Sequence, residues 1–122
     1  MLKSIRQLIM SLRVFLAIKQ YCKQKKIYCK INSLFNTIKI SRNFSSLYFI
    51  IVLKKSNYKT KVNHIRRKKE KNIQVVLLTS EVDYNYIFKN HLELLGIINL
   101  SANYNYTYLL EMVKDYIDTF LQ

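Results

Sequence analysis

The chain has one glycine, Gly96, no proline and no tryptophan among its 122 residues. A single glycine excludes the GxGxxG and GxxxxGK[ST] loops that cradle phosphates, because both need several. The two cysteines, Cys22 and Cys29, make no disulfide scaffold and form no CxxC pair that would support a zinc site. They read as small apolar residues in a reducing compartment. Neither a metal nor a cofactor is expected. Long hydrophobic runs are missing too. The longest, Leu47 to Leu53, spans seven residues, whereas a membrane-spanning helix takes about twenty. Alanine is scarce as well, with only Ala17 and Ala102, while Ile, Lys, Asn and Tyr abound. The scarce residues have GC-rich codons and the abundant ones AT-rich codons, as in many organelle genomes. The same bias removes the Gly and Pro that usually mark turns.

Carboxylates are absent from more than half of the chain. The first is Glu70: residues 1–69 hold 18 Lys and Arg and no acid. Residues 70–122 hold Lys71, Lys89 and Lys114 against seven acids, and the net charge is +14. A folded half with that imbalance cannot neutralise itself and needs a polyanion nearby. Nucleic acid is the commonest such partner, because each neutralised phosphate releases counterions. A solvated basic face enlarged by AT-rich lysine codons is the plainer reading, but codon bias does not explain the missing acids. Half of the chain is apolar, which argues against a disordered tail, and its length suits one domain.

Residues 2–20 place Leu2, Ile5, Ile9, Leu12 and Phe15 or Leu16 at helical steps. This basic amphipathic segment, residues 1–26, reads either as a transit peptide or as a retained extension. We take it as a retained helix that packs on a neighbouring protein or RNA. Residues 27–122 read as a single α+β RNA-binding domain. Residues 27–32 alternate as a short strand. The run at residues 47–53 fits a helix stripe or a buried strand, since periodicity does not decide a short apolar run. Residues 59–65 alternate weakly, Arg66-Arg67-Lys68-Lys69 follows, and Ile73 to Leu78 is a strand rich in β-branched and aliphatic residues. Together they predict a long hairpin over residues 59–78 with a basic tip at 66–72. That tip is expected to be solvated and to add little to stability. Residues 83–95 and 104–121 have helical periods, with Asp83 at an N-terminus and Gly96 as a C-terminal cap. Residues 117–121 fit either the end of that helix or an edge strand. The expected order is a helix followed by β-α-β-β-α-(α)-β. This is an α+β, ferredoxin-like split β-α-β sandwich with a long basic hairpin and an N-terminal extension helix.

Catalytic chemistry has little support. No Ser/His/Asp set, paired carboxylates or metal-ligand cluster stands at a recognisable spacing, so no enzyme is expected. His64 lies in the basic segment as an RNA-facing or hydrogen-bonding residue. His91 reads as a satisfied, half-buried histidine in mid-helix. The ten tyrosines could stack on bases, although most lie on apolar stripes.

The stretch Tyr86-Ile87-Phe88-Lys89-Asn90-His91-Leu92-Glu93-Leu94-Leu95-Gly96-Ile97 resembles the second helix of the universal small-subunit ribosomal protein ten family, which includes bacterial NusE. Tyr86, Lys89, His91, Leu94, Leu95 and Ile97 fall on the family pattern without a gap. Arg67 to Lys71 followed by Ile73 to Leu78 resembles the family's basic hairpin tip running into its third strand. Thr79-Ser80-Glu81-Val82 stands where the family has Ser-Pro-His-Val, and residues 117–121 resemble its closing strand. The resemblance implies a structural constituent of the small ribosomal subunit. It would bind ribosomal RNA and neighbouring head proteins, with no small-molecule substrate and no membrane span.

The candidate RNA-binding residues are Lys59, Lys61, His64, Arg66, Arg67, Lys68, Lys69 and Lys71, completed by Lys89 and His91. Composition points to a mitochondrial ribosome, with a plastid ribosome as the alternative. Two other readings compete. One is a different ribosomal protein, since Val76–Leu78 and Leu95-Gly96-Ile97 echo small-subunit protein two. The other is an accessory subunit of a mitochondrial membrane complex that meets anionic lipid through its basic face.

Overall fold

A computed structural model describes residues 2–32, 37–52, 57–68, 72–100 and 106–122. In chain order these form α1 (Leu2–Gln24), β1 (Tyr28–Asn32), β2 (Thr37–Arg42), β3 (Ser45–Ile51), α2 (Tyr58–Arg66), β4 (Ile73–Thr79), α3 (Tyr84–Lys89), β5 (Gly96–Asn99) and α4 (Tyr106–Leu121). The strands make one five-stranded sheet in the order β1-β2-β3-β4-β5. β1, β2 and β3 are antiparallel neighbours, while β4 and β5 join in parallel. The α+β class expected from the sequence stands, with helices on a mixed sheet and two β-α-β units. Both crossovers join adjacent strands, so no strand is inserted within either parallel pair.

Burial along the strands explains the layers. β3 and β4 are buried on both faces, as central strands in parallel pairings should be. Leu47, Phe49, Val76 and Leu78 meet Val14, Phe15, Ile18 and Cys22 of α1 and Leu109, Val113 and Ile117 of α4. Tyr48, Ile50, Val75 and Leu77 meet Tyr58, Val62 and Ile65 of α2, with Tyr86 and Ile87 of α3 beside them. β2 alternates instead: Ile38 and Ile40 are fully buried toward α1 and α4, while Lys39 and Ser41 stand on the other face. Among the described residues, the face toward α2 is therefore covered over β3 to β5, and no helix lies over β1 and β2.

The residues at 47–53, left between helix and strand by their periodicity, are strand over the described part. A two-residue turn makes this possible: Arg42 pairs with Ser45, and Asn43 takes φ 55. Asparagine tolerates this left-handed conformation better than most residues. Lys26, Asn72 and His91 also have positive φ, so the chain turns without glycine. Gly96 is not a helix cap. It opens β5, and a Cβ there would overlap the Tyr116 phenol of α4.

Two further expectations are corrected. The long hairpin over residues 59–78 does not form, because residues 58–66 are helix. Tyr58, Val62 and Ile65 recur at helical steps and fill the space over β3 and β4. A helical burial stripe outweighs the weak alternation read in residues 59–65. The stretch at 86–97 is not one helix. α3 ends at Lys89, His91 takes φ 54, and the chain is extended as β5 from Gly96. His91 is accordingly exposed after the helix, not half-buried within it. Residues 117–121, left between helix end and edge strand, complete α4, so the closing strand implied by the resemblance does not form.

The N-terminal helix packs on its own domain, contrary to expectation: α1 belongs to the same core as the sheet, so residue 26 marks no boundary in packing. The Tyr21 hydroxyl donates to Asp118 Oδ1 of α4 at 2.6 Å. This bond, helped by partial burial, pushes the Tyr21 hydroxyl up to about 12. Tyr106 donates to the Arg13 carbonyl at 3.1 Å, and the Arg13 guanidinium lies 4.0 Å from the Tyr106 ring centre. The neighbouring Cys29 thiol, together with burial, holds Cys22 well above its ordinary pKa.

Candidate nucleic-acid interface

The cations of α2 divide between two faces because the helix is buried along only one. Tyr58, Val62 and Ile65 point into the sheet. Lys59, Thr60, Asn63, His64 and Arg67 line the outer side, around a shallow cleft of about 310 Å³. Lys59, His64 and Arg67 are exposed there, and Lys61 is half-buried on the same helix. The cationic end is not intrinsically unfavourable, since a helix C-terminus attracts positive charge. The cations at the end of α2 are thus partly accommodated by the fold itself.

Arg66 is placed differently from the expectation. One guanidinium nitrogen donates to the Ile73 carbonyl at 2.9 Å and another to the Glu93 carbonyl at 2.7 Å. The Glu93 carboxylate lies 3.7 Å away, but it is 83% exposed and adds little. Arg66 therefore pins the end of α2 to the start of β4 and to the segment before β5. It serves the fold, and its fork is occupied by protein.

Lys68 turns toward the sheet. Its ammonium lies 5.4 Å from the Tyr48 ring centre, and the Lys39 ammonium lies 5.8 Å from the same ring. Both are within cation–π range. Lys39 pairs across the sheet with Tyr48 on one side and with Lys30 on the other. Cross-strand partners share a face, so Lys30, Lys39 and Lys68 collect on the uncovered part of the sheet. β1, β2, β3 and α2 contain no carboxylate.

Of the residues expected to bind RNA, Lys59, His64 and Arg67 share one cleft and Lys68 borders the open sheet. Lys89 and His91 are exposed at the end of α3. Lys69 and Lys71 lie outside the described residues. The sequence reading missed Lys30 and Lys39. Their signal was Ile38-Lys39-Ile40, where one face of a strand is apolar and the other basic.

Among the described residues, no three of His, Cys, Asp and Glu come together to hold a metal ion. Among the same residues, no helix is long and apolar enough to cross a membrane. In comparison with known proteins, no family model, curated protein or solved structure matches the chain.

Proposed function

We propose that this chain is a structural, non-catalytic RNA-binding constituent of the small subunit of an organellar ribosome, mitochondrial rather than plastid. Its partners are ribosomal RNA and neighbouring small-subunit proteins. The observation that carries the reading is the cation-lined surface running from the α2 cleft to the open half of the sheet, on elements without a carboxylate. Such a surface suits phosphate contacts, which position a protein on RNA without reading its bases. Arg67 offers a planar fork to phosphate oxygens, and Lys59 a point charge. The contact moves from the hairpin tip suggested by the family resemblance to a helix face and a sheet.

Salt dependence tests the interface. The variant Lys59→Ser/Arg67→Ser is expected to bind small-subunit ribosomal RNA with a log–log salt slope lower by roughly 1.4 to 1.8. Its thermal stability should stay within about 0.5 kcal/mol, since both side chains are surface groups. An unchanged slope would remove the α2 cleft from the RNA contact.

A membrane-surface reading has one observation of its own. Ile9, Leu12 and Leu16 of α1 are 52%, 55% and 65% exposed, with Lys19 and Lys23 exposed on the same helix. An apolar stripe beside cations is also how a helix lies on anionic lipid. Nuclease treatment separates the two readings, because it releases only the RNA-bound protein.

A further inference from the structure

The uncovered β1–β2 face holds an aromatic side chain that the core does not use. Tyr28 is 66% exposed. Its strand position puts it on the face of Lys30, opposite Ser41. Tyr48, on the same face, is 1% exposed and cannot take a base on its ring. Tyr28 can. At the sheet edge beside it, Lys25, Lys26 and Arg42 line, with Ile27, Ser41 and Leu121, a depression of about 370 Å³ that includes Tyr28 itself and opens toward the end of α4. On the face itself, Lys30 stands two residues along the strand and directly opposite Lys39.

That last pairing sets two like charges side by side. Like charges directly across two strands repel, and neither strand supplies a carboxylate to separate them. A phosphate beside the two ammonium groups would be attracted by both. An exposed ring with cations before and after it along one strand suits a nucleic acid whose bases are free to leave the stack. Single strands meet that condition, because aromatic platforms with flanking cations bind them by stacking and charge together. A duplex keeps its bases stacked internally and cannot use the ring.

From this arrangement we infer that the β1–β2 face binds a single-stranded segment of RNA. One base stacks on Tyr28, with one flanking phosphate at Lys25 and Lys26 at the sheet edge and the other at Lys30 and Lys39 on the face. The inference rests on the RNA-binding reading and specifies the form of RNA taken.

The test uses the full chain with an oligouridylate and with an RNA duplex of equal length, titrated over a range of salt. The single strand is expected to bind more tightly. Tyr28→Ala should weaken oligouridylate binding roughly tenfold without changing its salt slope, and should leave duplex binding unchanged. Lys30→Thr should lower the oligouridylate slope by about 0.7, with a melting temperature equal to or above that of the unaltered protein. Retained oligouridylate affinity and slope in both variants would overturn the platform while leaving RNA binding by α2 intact. A clear fall in the melting temperature of Lys30→Thr would mark Lys30 as structural and overturn its part. Failure of the unaltered chain to bind either RNA would overturn both readings together.

Discussion

Removal of residues 1–24 is expected to leave a chain that does not fold. α1 contributes Val14, Phe15, Ile18 and Cys22 to the core, none more than 8% exposed. Burial of an apolar side chain is worth about 1.5–3 kcal/mol, so the four together supply roughly 6–12 kcal/mol. A domain's entire stability is about 5–15 kcal/mol. Deletion would also strip the cover from Ile38, Ile40 and Leu47 on the sheet. The truncated protein should therefore show no cooperative thermal transition by circular dichroism. A milder variant measures the same contact: Ile18→Ala should cost about 2–5 kcal/mol in denaturant unfolding. A truncated chain that melts like the full protein would return α1 to the role of an external extension.

Arg66→Ala is expected to destabilise the free protein more than it weakens RNA binding. Its two bonds to the Ile73 and Glu93 carbonyls are charge-assisted, a class worth about 1.5–3 kcal/mol each in protein interiors. The side chain is 31% exposed, so the lower part of the range applies, and the loss should total roughly 2–3 kcal/mol. That corresponds to a fall of about 10 °C in melting temperature for a chain of this size. Arg66→Lys should recover only part, because an ammonium cannot reproduce the fork. The opposite pattern, full stability with reduced RNA affinity, would restore Arg66 to the RNA-facing set.

Several elements were legible in the sequence because their periods were long or their composition pure. The stripes of α1 and α4 span several turns, and Ile73 to Leu78 is continuous aliphatic strand. Asp83 was legible as a cap, and its Oδ1 accepts the Tyr86 N–H at 3.0 Å. α2 was not legible, because its period rests on only three buried residues and begins at Tyr58, outside the segment read as alternating. The β2–β3 hairpin was hidden because its turn uses Asn43 and Phe44 rather than glycine. α3 was overextended because the left-handed break at His91 carries no composition signal.

The basic candidates were recognised by charge alone, which does not distinguish an arginine turned inward from one turned outward. Arg66 and Arg67 are adjacent in sequence and differ in role only because a helix turns about 100° per residue. Lys30 and Lys39 join the candidate surface through strand register, of which Ile38-Lys39-Ile40 was the only local sign. The carboxylate-free first half was the most dependable signal, since it stands whichever elements form.

Sedimentation of the full-length protein from an organelle lysate, with and without ribonuclease, tests the central claim most directly. A constituent of the small ribosomal subunit should travel with small-subunit particles at low salt and move to the top of the gradient after nuclease digestion. Sedimentation with membranes, unchanged by nuclease, would contradict the claim and assign the basic surface and the exposed stripe of α1 to lipid.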